Sequence, residues 1–320
     1  SGVAAQGRGA CQGFARTSAA KGTPKESTLL SNAVRRPARL IPLAFLAATL
    51  LGTVLLLLPV STAGPQSASL LTALFTAVSA VCVTGLIVQD TATYWSFFGQ
   101  CVILLLFQVG GFGIMSGATL LGLLVKRRLQ LSSRLVAQQG TRSLGLGDVT
   151  GVLRLILLVT VGVELVVTAI LTIHLHFTYD VPWPKALWDG LFHAVSAFNN
   201  AGFSTYSDSL VRFATDPVVL VPIMLALIIG GLGFPVLYEF RRDQRGKPWT
   251  IHTRITLWGS AVLLFGGTLA ILFYEWGNPG TLGGMSLGDK LLSALFSSAV
   301  ARTAGFNSLD VAQFEAQTLA

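Results

Sequence analysis

The sequence predicts an all-α polytopic membrane protein in which one unit recurs: apolar span, re-entrant half-helix, glycine loop, apolar span. Three observations predict it. An uncharged stretch too short to cross a bilayer runs into a glycine three times, in AVSAVCVTGL at Ala77–Leu86, AVSAFNNAGF at Ala194–Phe203 and SAVARTAGF at Ser298–Phe306. An apolar span precedes each copy, at Leu40–Val60, Leu155–Ile173 and Ile255–Tyr274, and another follows the first two, at Trp95–Val125 and Pro217–Tyr238. Landmarks recur around the glycines, and a fixed period of this kind decides a fold. Gly85, Gly202 and Gly305 are 117 and 103 residues apart, Phe75 and Phe192 lie ten residues upstream of the first two, and Asp90, Asp208 and Asp310 follow at +5, +6 and +5.

Composition agrees. Hydrophobic residues make up 52% of the 320 and charged residues 11%. Five stretches of 19 residues or more carry at most one charge, enough at ~1.5 Å per residue to cross a ~30 Å hydrocarbon core. The net charge of +8 reports topology rather than a nucleic-acid partner. Of 22 Lys and Arg, seven precede Leu40, six lie between Lys126 and Arg154 and five between Arg241 and Arg254. Only Lys185, Arg212, Lys290 and Arg302 fall in the segments that carry the glycine loops. Positive residues mark the cytoplasmic side, so the N-terminus and both basic loops are inside and the glycine loops enter from outside.

Taken in order, residues 1–39 read as a flexible cytosolic tail, small and polar without periodicity. They do not read as a secretory signal, because the apolar run that follows has 21 residues and no clear cleavage site. Residues 40–125 form repeat 1, 126–154 a cytosolic basic loop, 155–240 repeat 2, 241–254 a second basic loop, and 255–320 an incomplete repeat 3. Cys11, Cys82 and Cys101 have no metal-ligand spacing.

The half-helices, such as Ser67–Ala80 and Lys185–Ala197, are 13 or 14 residues, roughly 20 Å, so they enter the membrane without crossing it. Non-helical backbone at that depth survives only where protein buries it or it lines a wet cavity. Each half-helix aims a C-terminal end of roughly −0.5 charge at the membrane interior. Several such ends converging make a cation site, where extended carbonyls replace the hydration shell. Glycine suits the loop because it allows φ > 0 and lets successive carbonyls face one axis.

VTGL at Val83–Leu86, FNNAGFS at Phe198–Ser204 and ARTAGFN at Ala301–Asn307 resemble the first three selectivity filters of the Trk/Ktr/HKT superfamily of potassium transporters. The resemblance runs from about Leu40 to the end and is nearest to the bacterial Ktr membrane subunit, since little precedes the first span. It implies four repeats arranged pseudo-symmetrically around one pore, three of them present here; a fourth filter would fall at about residue 410 by the same spacing, so the chain is expected to be a truncated form. It also implies K+ uptake across the cytoplasmic membrane, with Na+ as a candidate coupling or activating ion. Filter carbonyls would come from Val83, Thr84, Gly85, Asn200, Ala201, Gly202, Thr303, Ala304 and Gly305. In plant relatives a Ser at the first glycine goes with sodium transport, so Gly85 favours potassium. Implied partners are the lipid bilayer, a second copy in a homodimer, and a cytosolic RCK-type nucleotide-binding subunit docked on basic surfaces such as 126–134 and 241–247.

Other residues carry two readings each. Arg302, at membrane depth, either braces the third filter by pairing with a carboxylate or sets ion occupancy. Glu164, the one ionisable residue of its span, is a paired structural acid or a permeation residue. Asp90, Asp208 and Asp310 form an outer acidic ring that concentrates cations, or are solvated caps. Gly110, Gly111 and Gly113, with Gly230, Gly231 and Gly233, permit close helix packing or bending, or act as hinges. His174, His176 and His193 read as interfacial or packing residues. An enzyme would need a nucleophile with a base, and no such constellation appears. A secondary carrier with broken helices is the alternative class, although its repeats are more often inverted.

Overall fold

In the computed structural model, which describes residues 37–113, 146–241, 249–302 and 304–319, repeat 1 begins with helix α1 (Pro37–Leu57). Its loop is tied back to the helix by Ser61 Oγ, which donates to the Leu55 carbonyl at 2.6 Å. The short helix α2 (Leu70–Val81) starts at Ser69, whose hydroxyl accepts the Thr72 N–H, the usual satisfaction of an orphan amide at a helix start. It is 12 residues long, about 18 Å, too short to span a ~30 Å hydrocarbon core. Ala73, Ala77 and Ala80, at helical spacing, are fully buried. Between helices in lipid no hydrophobic force operates, and small residues permit the close contact that does. Helix α3 (Phe97–Gly113) completes the described part of the repeat.

Repeat 2 has the same plan. A long helix α4 (Leu146–Tyr179) contains the expected Leu155–Ile173 span, and a re-entrant helix α5 (Trp183–Phe198) follows. The second span departs from expectation. Instead of running from Pro217 to Tyr238 it divides into α6 (Pro217–Leu232) and α7 (Phe234–Arg241), bent by 98°. Gly233, at φ +80, makes the break. Pro235 follows it, lacking the N–H that a continued helix would need.

Repeat 3 contributes α8 (Ile251–Glu275), α9 (Leu287–Ala301) and a last turn α10 (Ala316–Leu319). Glu275, fully buried, gathers the Thr281 and Thr318 hydroxyls, the Asn278 amide and the Glu315 N–H, anchoring the last segment to the end of α8. Among the described residues α4 and α8 are long and apolar enough to cross a membrane, and the bent α6–α7 pair is a third if it counts as one span. Residues 114–125 of the expected Trp95–Val125 span lie outside the described residues, as do most of the tail and the basic surfaces 126–134 and 242–247.

Helix α5 sits in the middle. Phe192 and Val195 pack into a core with Ala73, Ala77, Ile103 and Phe107 of repeat 1. Ala194, Ala197 and Phe198 pack into a second core with Phe296, Val300 and Phe306 of repeat 3. Phe107 meets Phe192 edge-on at 5.5 Å and stacks on Phe203 at 5.9 Å. Location also separates two sequence landmarks: Phe192 is fully buried whereas Phe75, its counterpart on peripheral α2, is 38% exposed.

Candidate functional site

The first two glycine loops are built alike. At the end of α2 the Val83 N–H bonds the Ala80 carbonyl and the Thr84 N–H reaches back to Ser79 (2.9 Å). At the end of α5 the Asn200 N–H bonds Ala197 and the Ala201 N–H reaches Ser196 (2.7 Å). The chain then turns left-handed at alternate residues, Val83 (φ 57) and Gly85 (φ 71) in one loop, Asn200 (φ 60) and Gly202 (φ 73) in the other. For a β-branched residue such as Val83 this is a true outlier, at a cost on the order of 1–3 kcal/mol. Strain repeated at matched positions persists only where the surrounding structure holds it.

Two serines hold it. Ser79 Oγ donates to the Leu86 carbonyl at 2.7 Å, and Ser196 Oγ to the Phe203 carbonyl at 2.8 Å. Each serine stands six residues before its glycine and grips the carbonyl just after it. The shared AVSA of the two copies was the available signal, and the sequence reading passed it over.

The third loop differs. Ala299 replaces the serine, the Ala304 N–H bonds Val300 in helical register (3.0 Å), and Gly305 lies outside the left-handed region. The freedom to take φ > 0 that suits glycine to these loops is used at Gly85 and Gly202 and not at Gly305. Thr303 lies outside the described residues.

The three loops meet. A β-carbon added to Gly85 would lie 2.3 Å from the Ala201 carbonyl oxygen, one on Gly202 would lie 2.3 Å from the Gly305 nitrogen, and one on Gly305 would lie 3.5 Å from the Gly85 oxygen. Each glycine thus faces the backbone of another loop. Behind them, Gly110 abuts the Val81 carbonyl and Gly230 the Phe198 carbonyl, where added β-carbons would come within 2.1 and 1.8 Å. Val81 and Phe198 are the last residues of α2 and α5, so the glycine pairs let each second span press against the C-terminal end of its own re-entrant helix.

A cavity of about 650 Å³ opens over Gly85, Gly202 and Gly305, and Asp90, Asp208 and Asp310 line it. The acids are also local caps. Asp90 accepts the Ala92 N–H (3.0 Å), the Thr93 hydroxyl (2.8 Å) and the Ser207 hydroxyl of repeat 2 (2.5 Å). Burial pushes its carboxyl up, but these bonds outweigh burial and hold it below the usual range. Asp208 is paired with Arg212 at 2.7 Å, which overrides burial and keeps it low, and Arg212 removes much of its field. Asp310 caps the turn at Ala312.

Arg302 does not meet the expected carboxylate. It donates to Ser260 Oγ on α8 at 3.2 Å, and no carboxylate lies within ion-pair distance of it among the described residues. Half-buried at the end of α9, it reaches a neutral hydroxyl because α8 presents no acid at that level. His193 is a satisfied core residue, its Nδ1 donating to the Asp189 carbonyl (2.7 Å) and its Nε2 meeting Ser204 Oγ (2.9 Å). Asp189, also buried, accepts the Thr205 and Tyr206 hydroxyls at 2.8 and 3.0 Å. Together they brace the chain that leaves the second glycine loop. His174 pairs with Asp216 at 2.6 Å and His176 meets the Val181 carbonyl.

Glu164 has partners that sequence reasoning did not find. It accepts Gln108 Nε2 (3.3 Å) and Asn199 Nδ2 (3.4 Å), while Asn199 Nδ2 also donates to Gln108 Oε1 (2.6 Å). The partners are 56 and 35 residues away along the chain, beyond any local pattern.

Residues 10–320 match the family described as "TrkH: Cation transport protein". The chain is 39% identical over 283 residues to the Ktr system potassium uptake protein B of Bacillus subtilis, covering 88% of this chain and 63% of that protein. It is 39% identical over 280 residues to the protein of the same name from Vibrio alginolyticus (86% and 60%), and 34% identical over 290 residues to a potassium/sodium uptake protein of Enterococcus hirae (89% and 63%). It therefore spans about three fifths of the length of these curated relatives.

Proposed function

Because the chain belongs to the TrkH family of cation transport proteins, we propose that it takes up K+ across the cytoplasmic membrane as the membrane subunit of a Ktr-like system. The ion would pass through backbone carbonyls of Val83, Thr84, Gly85, Asn200, Ala201, Gly202, Thr303, Ala304 and Gly305. The observation that carries this reading is the matched left-handed pair in the first two loops, converging with Gly305 beneath an acid-lined cavity. The re-entrant helices ending at Val81, Phe198 and Ala301 add roughly −0.5 charge each. That field, with carbonyls standing in for water, favours a dehydrated monovalent cation. Na+ is a candidate coupling or activating ion. A second copy and a cytosolic RCK-type subunit are the proposed protein partners, the latter on the basic surfaces 126–134 and 241–247.

The test is uptake. A strain without other K+ uptake, expressing the native protein, should grow on low K+, and vesicles carrying it should pass K+ in preference to Na+. Equal fluxes of the two ions would refute the filter assignment.

Orientation is checked separately. With the N-terminus inside, as the 18-to-4 split of basic residues supports, a cysteine introduced at Ser207 should react with an impermeant thiol reagent added outside intact cells, and one at Arg128 should not. The reverse labelling would overturn the orientation and leave the filter assignment standing.

A further inference from the structure

Glu164, Gln108 and Asn199 lie on three different elements. Glu164 is on α4, the first span of repeat 2; Gln108 is on α3, the second span of repeat 1; Asn199 caps the C-terminus of α5. Glu164 is 7% exposed and Asn199 4%. A carboxyl group at membrane depth without partners costs several kcal/mol, and here each of its oxygens receives a donor, Oε2 from Gln108 and Oε1 from Asn199.

Asn199 is held on every side. Its two amide hydrogens are shared among Gln108 Oε1 (2.6 Å), the Val195 carbonyl one turn back (2.9 Å) and Glu164 Oε1 (3.4 Å). Its Oδ1 lies where a β-carbon on Gly111 would come within 2.0 Å, so α3 presses directly on it. The next residue, Asn200, is the left-handed one at φ 60, and the peptides that follow belong to the second filter. A turn of the Asn199 backbone rotates those peptides with it. At the matching position of repeat 1 stands Cys82, and of repeat 3 Arg302, neither of which offers a side-chain amide. This clasp belongs to the second filter among the described residues.

We propose that Glu164 is a positioning residue for ion discrimination, acting through Gln108 and Asn199 to fix the register of the Asn200–Gly202 carbonyls and so coupling the second filter to repeat 1. It does not touch the ion. The proposal rests on the filter reading above, with α3 as the element that links the two repeats.

The native protein and Glu164→Gln are compared for the KM of K+, the maximal rate, the ratio of K+ to Na+ uptake, and the amount in the membrane. Glutamine keeps the shape but turns an N–H₂ toward one of the two donors, so one bond of the clasp is lost. The expected result is a rise in KM and a fall in the K+/Na+ ratio, each about five- to tenfold, the scale of one buried hydrogen bond. Asn199→Ala should do the same, and the double variant should be no worse than the worse single one, since both cut one linkage. A role confined to stability would lower the maximal rate through fewer copies and leave KM and the ratio unchanged. That outcome, or additive effects in the double variant, overturns the proposal. If Glu164→Gln fails to reach the membrane, Gln108→Ala, on the half-buried partner, is read by the same criteria. Failure of the native protein to prefer K+ would instead sink the function itself, so the two failures are distinguishable.

Discussion

Replacing Gly202 with serine should abolish growth on low K+ and lower the K+/Na+ uptake ratio at least about tenfold, a loss of ~1.4 kcal/mol or more in discrimination. Two costs add at this position. The φ of +73 is one that side-chain-bearing residues rarely adopt, and the new β-carbon would lie 2.3 Å from the Gly305 nitrogen and 2.6 Å from its Cα. Both obstacles are backbone, which cannot swing aside, so one of the two glycine loops must be displaced. Gly85→Ser meets nearly the same conditions, with φ +71 and the Ala201 carbonyl oxygen at 2.3 Å. Gly305→Ser should be far milder, because its nearest neighbour is the Gly85 oxygen at 3.5 Å and its backbone is not left-handed. The three glycines are equivalent in sequence, yet the geometry ranks them. Potassium dependence of growth and competitive uptake for the three variants check the ranking, and a Gly305→Ser protein as impaired as Gly202→Ser would contradict it.

Gly230→Ala should destabilise the protein severely, by about 3 kcal/mol or more on the scale of overpacked cores, and remove most of it from the membrane. The direction is contrary to helix propensity, which favours alanine over an interior helical glycine by ~1 kcal/mol. Packing decides the sign. A β-carbon there would lie 1.8 Å from the Phe198 carbonyl oxygen, so α6 would have to leave the end of α5 that it supports. Gly259→Ala and Gly266→Ala on α8 are the controls, since nothing lies within 4 Å of either added carbon. They should match or exceed the parent in thermal melting followed in detergent, while Gly230→Ala falls well below it. A Gly230→Ala protein as stable as the controls would mean that α6 and α5 are not packed as described.

What the sequence revealed was whatever repeats locally. The half-helices, the loop glycines and the paired glycines of the second spans are short-range patterns, and their recurrence made them legible. A bend was among the readings of Gly230, Gly231 and Gly233, but continuous hydropathy across Gly233-Phe234-Pro235 hid that it reaches 98° and divides the span. The pairing of Asp208 with Arg212 was also within reach, at helical i, i+4 spacing. Arg302 misled because burial of a cation predicts a countercharge, and α8 supplied Ser260 instead. The clasp on Asn199 could not be read at all, since its partners come from two other helices. The departures of the third loop were equally hidden, although Ala299 in the place of Ser79 and Ser196 was a visible hint.

The central place of α5 has a consequence for how the chain is made. Repeats that look interchangeable in sequence are not separable modules during synthesis. Phe107 of repeat 1 packs on Phe192 and Phe203, which leave the ribosome 85 and 96 residues later, a delay of roughly 4 to 20 s at ordinary elongation rates. Through that interval the first glycine loop has its own helix and serine but lacks the wall against which α3 closes. The nascent first repeat must therefore wait in the membrane with an unfinished face. Maturation then proceeds by the arrival of one shared helix that completes its predecessor and begins its successor.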